Sequence, residues 1–330
     1  MILMWGGFIA FVLLLLALDL GVFNRQPHAP TITEALAFTA MTVVLAVAFA
    51  GFIHVAYDNH WQGLGTALDA VDHRTNDGRL ATVKFLTGYI VEMSLSMDNV
   101  FVIALILQHL QVPLAQQHRV LFWGILGALA MRGAVIGTGA ALVSSYSWIL
   151  YLFGVFLIFT AVRMLVVEQK EEAPEEAWVV RWLNRHFRVT KEFHASRFHL
   201  TRDGRHYITP LLVALVLVDT TDLVFAVDSI PAIFAITTDA FLVFTSNVFA
   251  ILCLRSLYFA LAAMIEKFKY LKISLAVVLG IVGIKMLAVE QVNALLGDSV
   301  NYWMLGTVAG ILATGAIASV LADRRSTRSS

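Results

Sequence analysis

Nine stretches of this chain are apolar for long enough to cross the roughly 30 Å hydrocarbon core of a bilayer: residues 2–23, 33–57, 84–108, 118–142, 148–168, 208–236, 241–265, 270–291 and 300–322. Inside hydrocarbon a backbone must satisfy its own hydrogen bonds, which a single apolar stretch does only as a helix. The expected fold class is an all-α polytopic membrane protein with about nine transmembrane helices. Composition agrees, with only 14% of residues charged against about 25% in soluble domains. The single cysteine, Cys253, excludes an internal disulfide framework and a thiolate-rich metal site. The first stretch lacks a basic leader and a small-residue cleavage site, and reads as a retained helix.

Nine spans put the termini on opposite sides, and Lys and Arg decide which is which. One set of loops holds Arg25, Arg119, the basic residues from Lys170 to Arg205, Lys267, Lys269, Lys272 and the tail Arg324, Arg325 and Arg328. The other holds Arg74, Arg79 and Lys84, diluted by Asp58, Asp69, Asp72 and Asp77. The C-terminus is expected in the cytoplasm, the N-terminus outside, and the protein in the cytoplasmic (inner) membrane. Residues 58–82 are polar and are expected along the outer surface. Residues 169–207 form an expected cytosolic loop, with an acidic patch, a basic amphipathic run, and an Asp203-Gly204 pair that signals a hairpin. Its histidines (His186, His194, His199, His206) match no standard metal-site spacing.

The chain also repeats itself. "RMLVVEQ" (163–169) recurs as "KMLAVEQ" (285–291), Arg132 matches Arg255, and "EMSLSMDN" (92–99) matches "DLVFAVDS" (222–229). Each unit holds three helices, and an odd number makes the second copy upside down, as in many secondary transporters. The expected organisation is two leading helices and an outer segment (1–83), repeat 1 (84–168), the cytosolic loop (169–207), inverted repeat 2 (208–291), and a last helix with a basic tail (292–330).

Five carboxylates lie within the membrane on two helices related by the repeat: Glu92, Asp98, Asp219, Asp222 and Asp228. Each charge costs roughly 2.5–3.5 kcal/mol at mid-span even on lenient insertion scales, so such residues are functional by default. Pro231 has no N–H for the carbonyl of Val227, which predicts a distorted helix with a free oxygen beside Asp228. Carboxylates with Asn99, Ser96 and the Val227 carbonyl form an oxygen-rich ligand set suited to Mg²⁺, Ca²⁺ or Mn²⁺. A thioether from Met97 would favour Mn²⁺, although ordinary helix packing is the commoner role for methionines placed as Met93 and Met97 are. Arg132 and Arg255 sit near mid-span as charge-balancing or gating groups. Arg163 and Lys285 lie nearer span ends, where long side chains snorkel.

The segments "EMSLSMDNVFV", "LFWGILGALAMRG", "DGRHYITPL", "VDTTDLVFAVDSIPAIFAIT" and "FTSNVFAILCLRSLYF" resemble the TerC/Alx family of integral membrane proteins, which is similar to the LysE-type exporter superfamily. The resemblance runs from the first helix to the last. It implies manganese homeostasis and efflux, with some members associated by name with tellurite resistance and plant relatives with thylakoid biogenesis. It carries the metal-binding role to Glu92, Asp98, Asp219, Asp222 and Asp228, and it supplies Mn²⁺, as substrate, where the residues alone supply only a hard divalent cation. The leading expectation is a Mn²⁺ exporter working by alternating access, not an enzyme. Its partners would be the cation and the lipid bilayer, with no nucleic acid. The alternative is a factor that helps other membrane proteins assemble or acquire metal, with the membrane translocation machinery as partner.

Overall fold

The computed structural model describes residues 1–18, 32–146, 148–166, 178–190, 197–202, 205–261 and 271–329. Its helices are α1 (Ile2–Leu18), α2 (Ile32–Asp58), α3 (Gly78–His109), α4 (Leu114–Ser145), α5 (Ile149–Val166), α6 (Trp178–His186), α7 (Pro210–Phe234), α8 (Ala240–Leu261), α9 (Leu271–Leu287), α10 (Val289–Leu296) and α11 (Val300–Ser329). Apart from α6 and α10, each fills one expected span. Among the described residues, α2, α3, α4, α5, α7 and α11 are long and apolar enough to cross a bilayer, while α1 and the first part of α8 are apolar but shorter. The chain is an all-α polytopic membrane protein. Its one described sheet is the hairpin β1 (His199–Arg202) and β2 (Arg205–Ile208), antiparallel with Arg202 opposite Arg205. That register is the one a two-residue connection imposes; Asp203 and Gly204 themselves lie outside the described residues.

The helices pack as an inverted repeat should. α3 lies along α8 and α4 along α7, the same contact made twice, while α5 pairs with α9. The last pair touches at backbone distance, since a Cβ at Gly283 would stand 2.9 Å from the Gly154 carbonyl. Small residues allow such approach where no hydrophobic effect drives helices together. α3 starts where α7 ends: Lys84 near the start of α3 and Thr237 just past α7 both bond Asp69. The two helices therefore run in opposite directions. The Met1 ammonium bonds the Gln62 carbonyl, so the N-terminus shares a face with the 59–77 segment.

Four expectations need correction. α3 begins at Gly78, because Asp77 caps it by accepting from the Leu80 N–H at 2.7 Å. Lys84 is therefore a buried helix residue and not part of an outer loop. The 58–82 segment does not simply lie along the surface, for its own Asp69 and Asn76 are buried. Lys285 does not snorkel either; its ammonium is buried and donates to the Ala235 carbonyl at 3.1 Å. Pro231 stands inside a continuous α7, so the distortion expected there does not break the helix.

Candidate functional site

The centre of the molecule is built on Arg132 of α4, which is 1% exposed. Its Nε and Nη2 donate to the two carboxylate oxygens of Asp222 (α7) at 3.1 and 2.9 Å. This paired geometry is the strong mode of guanidinium–carboxylate recognition. Its Nη1 donates to Glu92 Oε1 (α3) and, at 3.0 Å, to Asn247 Oδ1 (α8). One guanidinium thus ties together four helices, two from each repeat. Glu92 and Asp222 are the repeat-equivalent acids, and they approach it from helices of opposite direction.

Arg132 compensates only one of those two charges. Glu92 Oε2, Asp219 Oδ1, Ser96 Oγ and Asn247 Nδ2 are buried with no hydrogen-bond partner among the described residues. An unsatisfied buried polar group costs about 1–3 kcal/mol, more when charged. Asp219 lies one helical turn before Asp222 and presses its carboxylate on a bare patch of α4, where a Cβ at Gly127 would stand 2.7 Å from Oδ2. Beside Asp222 is a cavity of about 20 Å³, lined also by Leu121, Gly124, Val218 and Leu254. That is room for roughly one water.

The other expected site residues are dispersed. Asp228 receives a hydrogen bond from Thr160 and faces the Arg163 guanidinium of α5, away from Arg132. Asn99 is buried on α3. Met97 packs among apolar residues of α3, α5 and α7, and the Val227 side chain is exposed on α7. The side chains of Asp98 and Arg255 lie outside the described residues, as does His194. Among the described residues, no three His, Cys, Asp or Glu groups converge as a preformed metal cage.

A second polar centre escaped the sequence reading. The Lys84 ammonium contacts Asp69 Oδ2 at 2.8 Å, Asp72 Oδ2 at 2.8 Å and Asn76 Oδ1 at 2.7 Å. Asp69 in turn accepts from Thr237 and from the Thr238 backbone and hydroxyl, and Asp72 accepts from Asn301 of α11 at 3.1 Å. The α7–α8 turn is held again where the Tyr57 hydroxyl donates to Asp239 at 2.9 Å. Burial would raise the Asp69 carboxyl, but the Lys84 charge and the hydrogen bonds outweigh it and hold the group below its ordinary value. Burial raises that of Asp239 despite the Tyr57 hydroxyl. Together these contacts tie the 59–77 segment, α3, α11 and the end of α7 into one plug at the N-terminal face.

Residues 78–327 match the family described as integral membrane protein TerC. The chain is 44% identical over 321 residues to the membrane protein STKORF319 of Myxococcus xanthus, covering 97% of this chain and 93% of the relative. It is 44% identical over 311 residues to Alx of Escherichia coli, named as a proposed membrane-bound redox modulator, covering 94% and 92%. The Alx of Photorhabdus laumondii, named the same way, is 41% identical over 323 residues, covering 98% and 96%. No solved structure matches the chain.

Proposed function

Because the chain belongs to the TerC family of integral membrane proteins, we propose that it is a carrier that exports Mn²⁺ across the cytoplasmic membrane by alternating access. The observation that carries this reading is the meeting of Glu92 and Asp222, equivalent acids of the inverted repeat, on the one guanidinium of Arg132. A hard divalent cation seeks carboxylate oxygens, so it competes with Arg132 for the same two groups. Glu92 Oε2 and Asp219 Oδ1, buried and unpartnered, are the oxygens open to it first. Arg132 then serves as the internal countercharge that lets the empty carrier change direction without exposing bare carboxylates to a dry interior.

Access follows from the two ends. The plug around Lys84 closes the face that carries the 59–77 segment, so opening there requires breaking Lys84–Asp69 and Lys84–Asp72. The cavity beside Asp222 lies toward the opposite face, with the inner half of α4 at Leu121 and Gly124. The excess of Lys and Arg on the loops of that opposite face supports a cytoplasmic placement for it, with the N-terminus outside. A cation would then enter from the cytoplasmic end and leave when the plug opens.

The name of the Escherichia coli relative suggests a redox role. Within this chain such a role does not run through a disulfide, since the single cysteine is buried. Export of Mn²⁺, a redox-active metal, would alter cellular redox balance without thiol chemistry. The test is flux into liposomes containing purified protein and a Mn²⁺-sensitive dye. Saturable Mn²⁺ flux exceeding that of Mg²⁺ supports the carrier; none with correctly folded protein identifies an assembly factor.

A further inference from the structure

The helix α6 spans nine residues, Trp178–His186, and carries a buried apolar face opposite an exposed one on which aromatic and basic residues adjoin. Val179, Val180 and Leu183 are buried in a cluster with Leu211, Val213 and Ala214 of α7, Leu107 of α3 and Leu121 of α4. Those partners are the ends of membrane-spanning helices away from the 59–77 segment. Contact with them therefore pins α6 at the level where hydrocarbon gives way to headgroups.

One half of the exposed face is aromatic. Trp178 and Trp182, one turn apart, are 66% and 49% exposed, and Phe187 beyond the helix end is 48% exposed. The Trp182 ring lies 4.8 Å from that of His186, and His186 Nδ1 meets the Trp182 carbonyl at 2.9 Å. Two large apolar rings facing outward are unfavourable against water, yet tryptophan is the residue that prefers the bilayer interface. The other half is basic: Arg181 and Arg185, with Arg188 just past the helix end, are exposed. Among the described residues none of the three forms an ion pair.

We infer that α6 is an in-plane membrane helix that binds anionic phospholipid headgroups of the leaflet on its own side. Its tryptophans enter the acyl boundary while Arg181, Arg185 and Arg188 grip lipid phosphates. An apolar body with a basic polar face is the pattern of interfacial helices, and guanidiniums recognise phosphate in the bidentate mode. The inner face of α6 packs on α7, so lipid binding would bear on the helix that carries Asp222. Leaflet charge is thereby mechanically connected to the centre of the protein.

The test uses the full-length protein, purified in detergent and reconstituted. Native mass spectrometry with phosphatidylglycerol against phosphatidylcholine compares the wild type with the combined Arg181→Gln, Arg185→Gln, Arg188→Gln variant. A basic residue near an anionic surface contributes about fivefold in affinity. Removing three should therefore cut the preference for phosphatidylglycerol by on the order of a hundredfold at low salt. In parallel, vesicles of brominated lipid should quench wild-type tryptophan fluorescence more than that of the Trp178→Phe, Trp182→Phe variant, the other five of the seven tryptophans giving the background. Unchanged lipid preference in the arginine variant overturns the inference. So does equal quenching of both proteins, which would turn the aromatic face toward a protein partner or toward the acidic residues Glu171 to Glu176.

Discussion

Glu92 and Asp222 occupy equivalent positions in two oppositely directed helices, and the guanidinium of Arg132 bonds both. Among the described residues, the two copies therefore converge on one cation, Arg132 of the first copy. Among the described residues, one guanidinium thus meets two carboxylates, with the Asp219 carboxylate a turn away on α7.

Arg132→Ala leaves two buried carboxylates unpaired. Breaking a buried pair in this way typically costs about 3–5 kcal/mol. Arg132→Lys should recover only part of that, since an ammonium cannot bond Asp222 through two parallel N–H groups. Excess Mn²⁺ should stabilise Arg132→Ala more than the wild type, because the cation no longer competes with a guanidinium; at a hundredfold excess over Kd a ligand adds about 2.7 kcal/mol. Thermal unfolding in detergent, with and without Mn²⁺, checks this. Equal shifts in both proteins would mean that Arg132 and the metal use different oxygens.

Gly127→Ala places a methyl 2.7 Å from the Asp219 carboxylate. The carboxylate must move or α4 and α7 must part, and such overpacking costs typically 1–3 kcal/mol. Gly124→Ala meets its nearest atom, a Val218 methyl, at 3.4 Å and should be milder. Unfolding midpoints of the two variants test the ordering; a Gly127→Ala protein as stable as the wild type would show that the carboxylate is free to turn away.

The spans, the inverted repeat and the equivalence of Glu92 with Asp222 were all legible, because apolar length and recurring motifs are local signals. That both acids share Arg132 was not, since it depends on how four helices close around one another. Lys84 shows the limit more sharply. A lysine at the edge of an apolar stretch is assigned to water by its charge, and what buries it is Asp69 together with Thr237 and Thr238, distant in sequence. One readable signal was passed over: Asp77 before Gly78 is a helix N-cap, and it alone would have moved the start of α3 ahead of Lys84. Asp98 and Asp228 looked like partners of the central acids by repetition, yet Asp228 faces Arg163 on α5.

The plug should be acid-sensitive. The Asp69 carboxyl is held below its ordinary value, so its contribution is fully present above the unfolded pKa of about 3.9. That contribution is lost as pH falls below this value toward the folded one. Asp239, which burial raises, acts with the opposite sign, so the informative comparison is with Asp69→Asn. The wild type should be the more stable protein at neutral pH, with the difference shrinking below about pH 4. A difference that does not change with pH would remove Asp69 ionisation from the account.

The central claim is that Glu92 and Asp222 carry the cation, and it is tested most directly by Mn²⁺ flux into proteoliposomes for Glu92→Gln and Asp222→Asn, each beside the wild type. Both substitutions nearly preserve volume and leave Arg132 a hydrogen-bond acceptor, so the protein should remain folded in the membrane. The account predicts that either one reduces Mn²⁺ flux by at least tenfold (about 1.4 kcal/mol) while the protein keeps its helical content. Wild-type flux in both variants would contradict it, leaving the two acids as structural partners of Arg132.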